Sequence, residues 1–197
     1  MANDYSYVDP DYTYTDPKTG VMRNLAGITD HDTLVLVESG AFTKRIKELR
    51  AKPLKIKNAE TLLTIHKHLF QDVYEWAGKV RTVEISKSGH AFISLGYFHR
   101  AFPFIDTMIA DYRTIDKNDK PALAQKLAEI LDHINYLHPF REGNGRTQRE
   151  FLRLLALEKG LDLDLNPPDN AEVYERYMSG TINGDVKLLA ELIRDVI

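Results

Sequence analysis

The sequence contains no cysteine, so disulfide bonds and thiolate metal sites are excluded and a reducing compartment is permitted. It has no stretch near the ~20 apolar residues of a membrane span, and its N-terminus lacks a basic segment followed by an apolar run. Neither sign of charge dominates, because 26 basic and 29 acidic residues leave a formal charge of −3. That balance gives no general attraction to nucleic acid or to an anionic membrane. We therefore expect a cytoplasmic protein that contacts neither directly, and any phosphate binding must be local.

Hydrophobic patterning is abundant and mostly helical. The chain has 197 residues, 43% of them hydrophobic, which is enough to bury one sizeable core. Apolar residues at helical spacing predict helices over residues 30–49, 59–74, 97–112, 121–137 and 145–159, and from 170 to the end with a break near 182–185. Residues 79–92 instead alternate along the chain, with Ser88 and Gly89 at a turn, which predicts a short β-hairpin. The predicted fold class is mainly α.

Residues 1–28 differ in composition from the rest of the chain. They interleave tyrosines with residues that favour turns and extended backbone, namely Tyr5, Tyr7, Tyr12 and Tyr14 with Asp9, Pro10, Asp11, Asp16, Pro17 and Gly20. We interpret this segment as an extended N-terminal arm that packs on the body through its tyrosines. Residues 29–197 are predicted to form a single domain, because no linker, internal repeat or low-complexity stretch divides them.

The chemistry of the chain is concentrated in residues 138–149, His-Pro-Phe-Arg-Glu-Gly-Asn-Gly-Arg-Thr-Gln-Arg. The preceding amphipathic helix delivers His138 at its C-terminal end, and a new helix begins at the glycines. Glycines let backbone N–H groups approach a ligand closely, and the N-terminus of a helix favours an anion. Arg146 and Arg149 project from one face of the second helix and supply planar donors for phosphate oxygens. The loop therefore predicts a phosphate site between two helices.

Other side chains of the loop also suggest roles. His138 can accept a proton near neutral pH, and beside an anion pocket it suits a general base. Glu142 suits a Mg²⁺ ion that takes further ligands from phosphates, with a salt bridge to Arg141 as the alternative. Phe140 is predicted to turn inward and pin the loop. For the two arginines the alternative is a solvated position or pairing with Glu150. The remaining histidines lack such neighbours and are assigned to surface or core positions: His31, His66, His68, His90, His99 and His133.

The run from His138 to Arg149 resembles the signature of the Fic family, His-x-Phe-x-Asp/Glu-Gly-Asn-Gly-Arg-x-x-Arg, and matches it at every defined position. Residues 70–81, Phe-Gln-Asp-Val-Tyr-Glu-Trp-Ala-Gly-Lys-Val-Arg, resemble the segment that precedes the family's β-hairpin flap. Residues 15–22, Thr-Asp-Pro-Lys-Thr-Gly-Val-Met, are similar to the start of bacterial Fic toxins of the Bartonella conjugative-toxin kind. The likeness covers nearly the whole chain. It implies the Fic fold, a helical bundle with a helix-loop-helix active-site motif and a short hairpin flap.

The resemblance implies a protein adenylyltransferase, a nucleotidyltransferase that moves AMP from ATP to a hydroxyl side chain of a target protein. By the same resemblance, His138 is the catalytic base and Glu142 binds Mg²⁺. The phosphates are held by the other motif residues, with Gly143, Asn144 and Gly145 as an anion hole and Arg146 and Arg149 on the β- and γ-phosphates. The flap clamps an extended target segment by strand-like pairing, and its residues are Ser86, Lys87, Ser88, Gly89, His90, Ala91 and Phe92.

Two alternatives to AMP transfer stay open. Doc-type kinases of the same superfamily carry lysine where this chain has Gly145, so the resemblance favours nucleotidyl transfer over phosphate transfer. Transfer of UMP or phosphocholine is not excluded, because contacts to the base or head group lie outside the motif. A nucleotide-binding interaction module without turnover is the alternative from another functional class, although such a module would not need a base at His138.

Regulation is inferred from a missing motif. Many Fic proteins carry an inhibitory helix, Ser/Thr-x-x-x-Glu-Gly/Asn, whose glutamate pairs with the second motif arginine. No glutamate of this chain has Ser or Thr four residues earlier. We therefore expect a toxin that is restrained by a separate small antitoxin, which supplies a glutamate to Arg149. Likeness to the toxin branch favours the ATP-binding subunit of a type II topoisomerase as target, or a small GTPase if the protein is secreted into a host cell.

Overall fold

The computed structural model describes residues 5–7, 9–87 and 90–197, and for residues 5–7 and 90 it describes the backbone alone. Within these residues the chain is mainly helical, as predicted. The helices are α1 His31–Ala51, α2 Thr61–Phe70, α3 Phe98–Thr114, α4 Lys120–Leu137, α5 Asn144–Leu157, α6 Ala171–Asn183 and α7 Val186–Val196. The strands are β1 Tyr5–Tyr7, β2 Ile85–Lys87 and β3 His90–Ala91, and a single 3₁₀ turn, Leu95–Tyr97, precedes α3. No helix of this described part is both long enough and apolar enough to cross a membrane.

Three helices begin at an aspartate that caps the free backbone N–H groups of the first turn. Asp30 accepts hydrogen bonds from the backbone and hydroxyl of Thr33 at the start of α1. Asp119 and Asp185 cap α4 and α7 in the same way, and Pro121 stands in the first turn of α4. Each such cap contributes about 1 kcal/mol of helix stability. These signals are local in the sequence, and the predicted and observed starts of these helices agree closely.

Helix α4 runs through the core and packs against α3, α5 and α7. Its apolar stripe is fully buried, and the members at the centre of the stripe are Leu123, Leu127, Ile130, Leu131 and Ile134. Burying a side chain of this size contributes about 1.5–3 kcal/mol. The end of α4, where His138 follows, is therefore a rigid support.

The second predicted helix is shorter in the structure than the apolar pattern indicated. It ends at Phe70, and the chain continues in turns that bury Val73 and Tyr74 without further helix. The backbone N–H groups of both residues donate to the carbonyl of Phe70, which closes these turns. Gly78 completes the segment with a φ of +80° and its Cα close to Lys67. The apolar residues of these turns continue the spacing of the helix in the sequence, so the pattern predicted a helix about one turn longer than the one observed.

The predicted hairpin is present but small, and it belongs to a larger sheet. Strands β2 and β3 pair antiparallel, with Ser86 opposite Ala91, whereas residues 79–84 lie outside the strands. The predicted turn at Ser88 and Gly89 lies outside the described residues. Strand β1, from the arm, pairs with the other edge of β2 in the order β1-β2-β3. This third strand was not predicted, because three residues are too short to show an alternating pattern.

The arm also contacts the body through Tyr14. Its side chain is 3% exposed, and its ring meets the ring of Trp76 edge-on at 5.6 Å. The Tyr14 hydroxyl accepts a hydrogen bond of 3.0 Å from the backbone N–H of Thr82. In contrast, Tyr12 is half exposed. The arm therefore rests on the segment that leads into the hairpin, and the proposed boundary at residue 28 stays a prediction.

Candidate active site

Two residues with left-handed backbone bound the loop between α4 and α5. His138 ends α4 with a φ of 42°, and its N–H still donates to the carbonyl of Ile134. Gly143 begins α5 with a φ of 81°. A Cβ at Gly143 would lie 2.6 Å from two ring carbons of Phe70. Glycine is therefore required at this position for two reasons, the backbone conformation and the space.

The loop is fixed from inside by Phe140, Asn144 and His66. The Asn144 amide accepts from the N–H of Phe140 at 2.9 Å and donates to its carbonyl at 2.8 Å. The Phe140 ring is buried and stacks on the His66 ring, with a centroid separation of 3.8 Å. His66 Nδ1 accepts from the N–H of Gly78, so Nε2 carries the proton and donates to the carbonyl of Glu142. The side chain of Asn144 thus braces the loop, and Asn144 does not line the cavity described below, whereas Gly143 and Gly145 on either side of it do.

His138 lies at the floor of the site and is 5% exposed. Its Nδ1 is 3.1 Å from the carbonyl of Asn135, to which it donates, so Nε2 is the ring nitrogen that carries the acceptor lone pair. The ring of Phe92 stacks on it at 3.7 Å with an interplanar angle of 14°. Burial lowers the pKa of His138 to about 3, assisted by the positive charges of Lys87 and Arg81, while the hydrogen bond to Asn135 opposes the shift. At neutral pH the imidazole is uncharged and can accept a proton.

Arg81, which the sequence did not single out, ties the hairpin to this loop. Its guanidinium is buried and donates to the carbonyls of His138, Val83 and Ile93, at 3.0, 2.7 and 2.5 Å. Its own N–H donates to the carbonyl of Pro139 at 2.8 Å. The position of His138 is therefore set from two sides, by α4 and by the segment before β2.

The start of α5 is the predicted anion-binding side of the site. The N–H of Gly143 donates to Glu142, but no side chain of the described residues caps the first turn of this helix, so the N–H groups of that turn are left to a ligand. Gly145 lies next in this turn, where a Cβ would come 3.4 Å from Arg149 Nη1. Gly143 and Gly145 both line the cavity described below. This arrangement of N–H groups and helix dipole favours a phosphate.

The two motif arginines have different partners. Arg146 pairs with Glu38 of α1 at 2.6 Å and lies 3.6 Å from Glu142. The Arg149 guanidinium lies over the rings of Tyr174 and Tyr177, at 5.3 and 5.1 Å. Among the described residues, no carboxylate oxygen lies within 4.0 Å of that guanidinium.

Pairing of either arginine with Glu150 was the sequence-based alternative, and it is wrong. Glu150 is buried and binds Arg153 at 2.7 Å. Both motif arginines instead line the cavity, together with Glu142. The helical spacing of Arg146 and Arg149 correctly placed them on one face, but it carried no information about Glu38.

Glu142 offers one carboxylate to the site. Its Oε1 accepts from the N–H of Gly143 at 2.9 Å, its side chain is 20% exposed, and its ion pair in the structure is with Arg146. In the described part of the chain no group of three or more His, Asp and Glu side chains converges on one point. Mg²⁺ bound with a nucleotide needs only one or two protein carboxylates, with phosphates and waters as further ligands. A single hard oxygen donor at the edge of an anion pocket fits that type of binding.

A cavity of about 390 Å³ connects these groups. Its wall opposite the loop comes from α6, with Tyr174, Tyr177, Met178, Thr181 and Ile182, and Asn135 and Gln148 complete it. Sequence reasoning missed the α6 wall. Residues 174, 178 and 182 do recur at helical spacing, but nothing in the sequence indicates that this face of α6 meets the loop. The cavity thus has a charged end at the start of α5, where Arg149 lies against Tyr174 and Tyr177, and a largely apolar end at Met178 and Ile182.

The predicted flap divides into two parts. Lys87 and Phe92 reach the cavity. Ser86 belongs to the central strand β2, which pairs with β1 and β3, so its backbone is not available to a target segment. The edge strands of the described sheet are β1 and β3, and of these two only β3 belongs to the predicted flap, with Ala91 and the backbone of His90. Strand-like pairing of the flap with a target segment stays a prediction, and within the flap β3 is the edge strand on which it would occur.

Comparison with known proteins identifies one family from the sequence. The family model of the Fic/DOC family matches residues 56–156. The chain is 39% identical to the protein adenylyltransferase VbhT of Bartonella schoenbuchensis, over 92% of this chain but 38% of that protein. It is 34% identical to y4lH of Sinorhizobium fredii, a probable protein adenylyltransferase, over 98% of both chains. The chain therefore spans well under half the length of one of these relatives and almost all of the other.

The fold is also that of solved structures. The crystal structure of BepC from Bartonella tribocorum, which contains AMPPNP, superposes with a TM-score of 0.81 at 21% identity, over 94% of this chain and 96% of that one. The type IV secretion effector BepA superposes with a TM-score of 0.79 at 25% identity, over 94% of this chain and 68% of that one. The expected helical bundle with its helix-loop-helix motif is confirmed.

Proposed function

The chain belongs to the Fic/DOC family, and on that premise we propose that it is a protein adenylyltransferase that uses ATP. The observation that carries this proposal is the pairing of a neutral, oriented His138 with an uncapped helix start and two arginines around one cavity. A base beside a phosphate site suits attack of a hydroxyl on phosphorus. The names of VbhT and y4lH support the same reaction.

In the proposed reaction, His138 Nε2 accepts the proton of a target hydroxyl. The hydroxyl oxygen forms a bond to the α-phosphorus as the bond from that phosphorus to the bridging oxygen of the β-phosphate breaks, and pyrophosphate leaves. The N–H groups at the start of α5 and the guanidinium groups of Arg146 and Arg149 hold the triphosphate in line. Mg²⁺ bound at Glu142 would neutralise phosphate charge. Rate acceleration then comes from positioning and charge stabilisation.

The low pKa of His138 is consistent with this role once substrates are considered. Phosphate charge next to the imidazole favours its protonated form and raises the pKa. Displacement of Phe92 by a target side chain would reduce the stacking that buries the ring. Both effects act in the complex, where the proton has to be accepted.

We assign the apolar end of the cavity to the adenine base. Met178 and Ile182 supply an apolar surface suited to a planar base, and the amides of Asn135 and Gln148 lie at the same wall, whereas Tyr174 lies beneath the Arg149 guanidinium. This wall comes mainly from α6, outside the motif, which explains why the motif alone does not specify the base.

Transfer of label distinguishes the candidate reactions. The protein is incubated with a bacterial lysate and ATP labelled on the α-phosphate, with His138→Ala as the inactive variant and His133→Ala as a control from the same helix. We expect labelled proteins with wild type and the control, and none with His138→Ala. Label from γ-labelled ATP would indicate a kinase, and preferential label from UTP would indicate uridylyl transfer. Equal labelling by wild type and His138→Ala would sink the enzyme hypothesis and leave a nucleotide-binding module.

We further propose that the enzyme is a cytoplasmic toxin held inactive by a separate antitoxin. Support comes from Arg149, which faces no carboxylate within the described residues and lines the cavity. A glutamate presented there would compete with the γ-phosphate. A small protein that copurifies with the enzyme should lower AMP transfer, and substitution of its pairing glutamate should restore it. Mass spectrometry of the labelled proteins identifies the target, with a topoisomerase subunit expected ahead of a small GTPase.

A further inference from the structure

Glu38 joins the active site from a part of the chain outside the family match. It lies in α1, before the matched residues 56–156. Its Oε1 is 2.6 Å from Arg146 Nη1, with the two side chains 12% and 23% exposed. The hydroxyl of Tyr74 donates to the other carboxylate oxygen of Glu38. Burial, followed by the charge of Glu38, raises the pKa of Tyr74, so the tyrosine stays a donor.

Two aromatic rings complete the surroundings of Arg146. Its guanidinium carbon lies 4.6 Å from the ring centre of Phe70 and 5.3 Å from that of Phe42. Arginine stacks favourably on such faces. Glu38, Tyr74 and these rings do not line the cavity, whereas Arg146 does. These contacts therefore lie on the side of the guanidinium away from the cavity, and the remaining N–H donors of Arg146 are left on the cavity side.

Glu142 competes with Glu38 for the same guanidinium. It stands four residues before Arg146 on the cavity side, with its carboxylate 3.6 Å from Arg146 Nη2. Carboxylate and guanidinium groups at this spacing attract one another. Without Glu38, Arg146 would close on Glu142, and both groups would be lost to the ligand.

We propose that Glu38 is a positioning residue that holds Arg146 away from Glu142 and so keeps both side chains available to a nucleoside polyphosphate and its cation. This inference rests on the proposed function. It predicts an effect that depends on the phosphates. Nucleotides with a β-phosphate need Arg146, and AMP does not.

The simple charge effect of Glu38 has the opposite sign. Removing its negative charge makes the cavity more positive and would tighten binding of every nucleotide. We expect positioning to dominate, because the ion pair is short, mostly buried and supported by Tyr74. Hydrogen bonds to charged groups of this type correspond to about a tenfold change in an equilibrium constant.

The test is calorimetric binding of ATP, ADP and AMP, with and without Mg²⁺. The variants are Glu38→Gln, Tyr74→Phe and the control Glu48→Gln, which removes an exposed carboxylate of α1 that pairs with Arg45. We expect Glu38→Gln to weaken the binding of ATP and ADP by about tenfold and to leave the binding of AMP unchanged. This variant should also need more Mg²⁺ for tight binding of ATP. Tyr74→Phe should show a smaller shift of the same kind, and Glu48→Gln none.

Each other outcome has a defined meaning. Unchanged or tighter ATP binding by a folded Glu38→Gln overturns the inference, and so does an equal loss for AMP, which indicates general damage to the fold. If Glu38→Gln does not fold, the pattern for Tyr74→Phe decides by the same criteria. Failure of the wild type to bind any of the nucleotides removes the proposed function and the inference with it. Wild-type binding with an unaffected Glu38→Gln removes the inference alone.

Discussion

Two histidines near the active loop, His66 and His138, are buried and kept neutral by their surroundings. Burial lowers the pKa of each from 6.5 to about 3. Between these values the unfolded chain binds a proton that the folded chain does not. The contribution of each histidine to the free energy of unfolding is therefore fully present above about pH 6.5. It is lost as the pH drops toward 3, by about 1.4 kcal/mol per pH unit for each histidine.

Denaturant unfolding at pH 7 and pH 4.5 measures this dependence. Carboxylates also titrate in this range, so the informative quantity is the difference between wild type and His138→Gln. Glutamine removes one of the two protonation sites, and the fall in stability on acidification should be smaller by about 2–3 kcal/mol. An identical fall in both proteins would contradict burial of a neutral His138.

Residues of the site were predictable where they lie close together in the sequence. His138, Glu142, Arg146 and Arg149 occupy one loop and one helical face, so the chain itself brings them together. Glu38 reaches the site from a helix that begins more than a hundred residues earlier. Its neighbours in α1, Val35, Leu36 and Val37, are exposed, and no local pattern distinguishes Glu38 from a surface glutamate.

At the scale of elements, the start of α5 depends on Gly143. Alanine there would place its Cβ 2.6 Å from the Phe70 ring and would also strain a φ of 81°. Gly160 has a φ of 76° but open space around it, and it serves as the matched control. We expect the free energy of unfolding to fall by about 1 kcal/mol in Gly160→Ala and by about 3 kcal/mol in Gly143→Ala. Equal losses in urea unfolding would mean that the close approach to Phe70 has no effect.

The attachment of the hairpin depends on Arg81. Replacing it with methionine keeps the apolar length but leaves the carbonyls of His138, Val83 and Ile93 without their donor. Buried acceptors without partners are costly, and we expect a loss of about 3 kcal/mol. Arg50→Met, which removes a half-exposed guanidinium that pairs with Asp164, should cost less than about 1 kcal/mol. Transfer activity per folded molecule should fall only for Arg81→Met, because only that variant releases His138.

The sheet shows why element bounds were harder to predict than element types. The helices carry long periodic patterns and capping aspartates, and these were found. Strand β1 has three residues, and its partner β2 is equally short, so their pairing is set by the position of the arm on the body. Tyr14 fixes that position through its contacts with Trp76 and Thr82. Long-range contacts of this kind have no local signature in one sequence.

At the scale of the whole molecule, the cavity gathers side chains from the hairpin, α4, the loop, α5 and α6. A ligand that contacts all of them stabilises the folded chain as a unit, since the unfolded chain has no such site. At a hundred times its dissociation constant, ATP should stabilise the fold by about 2.7 kcal/mol. For a chain of 197 residues this corresponds to a rise in Tm of roughly 5–10 °C.

Thermal unfolding with and without nucleotide checks this coupling. The rise in Tm with ATP should vanish in Arg149→Ala, because the guanidinium of Arg149 lies at the charged end of the cavity. It should be smaller in Met178→Asp, because this change places a charge against the base. Two variants at opposite ends, each reducing the same shift, would show that one ligand spans the cavity from α5 to α6. A shift lost only in Arg149→Ala would restrict binding to the phosphate end, and the base assignment to α6 would then be wrong.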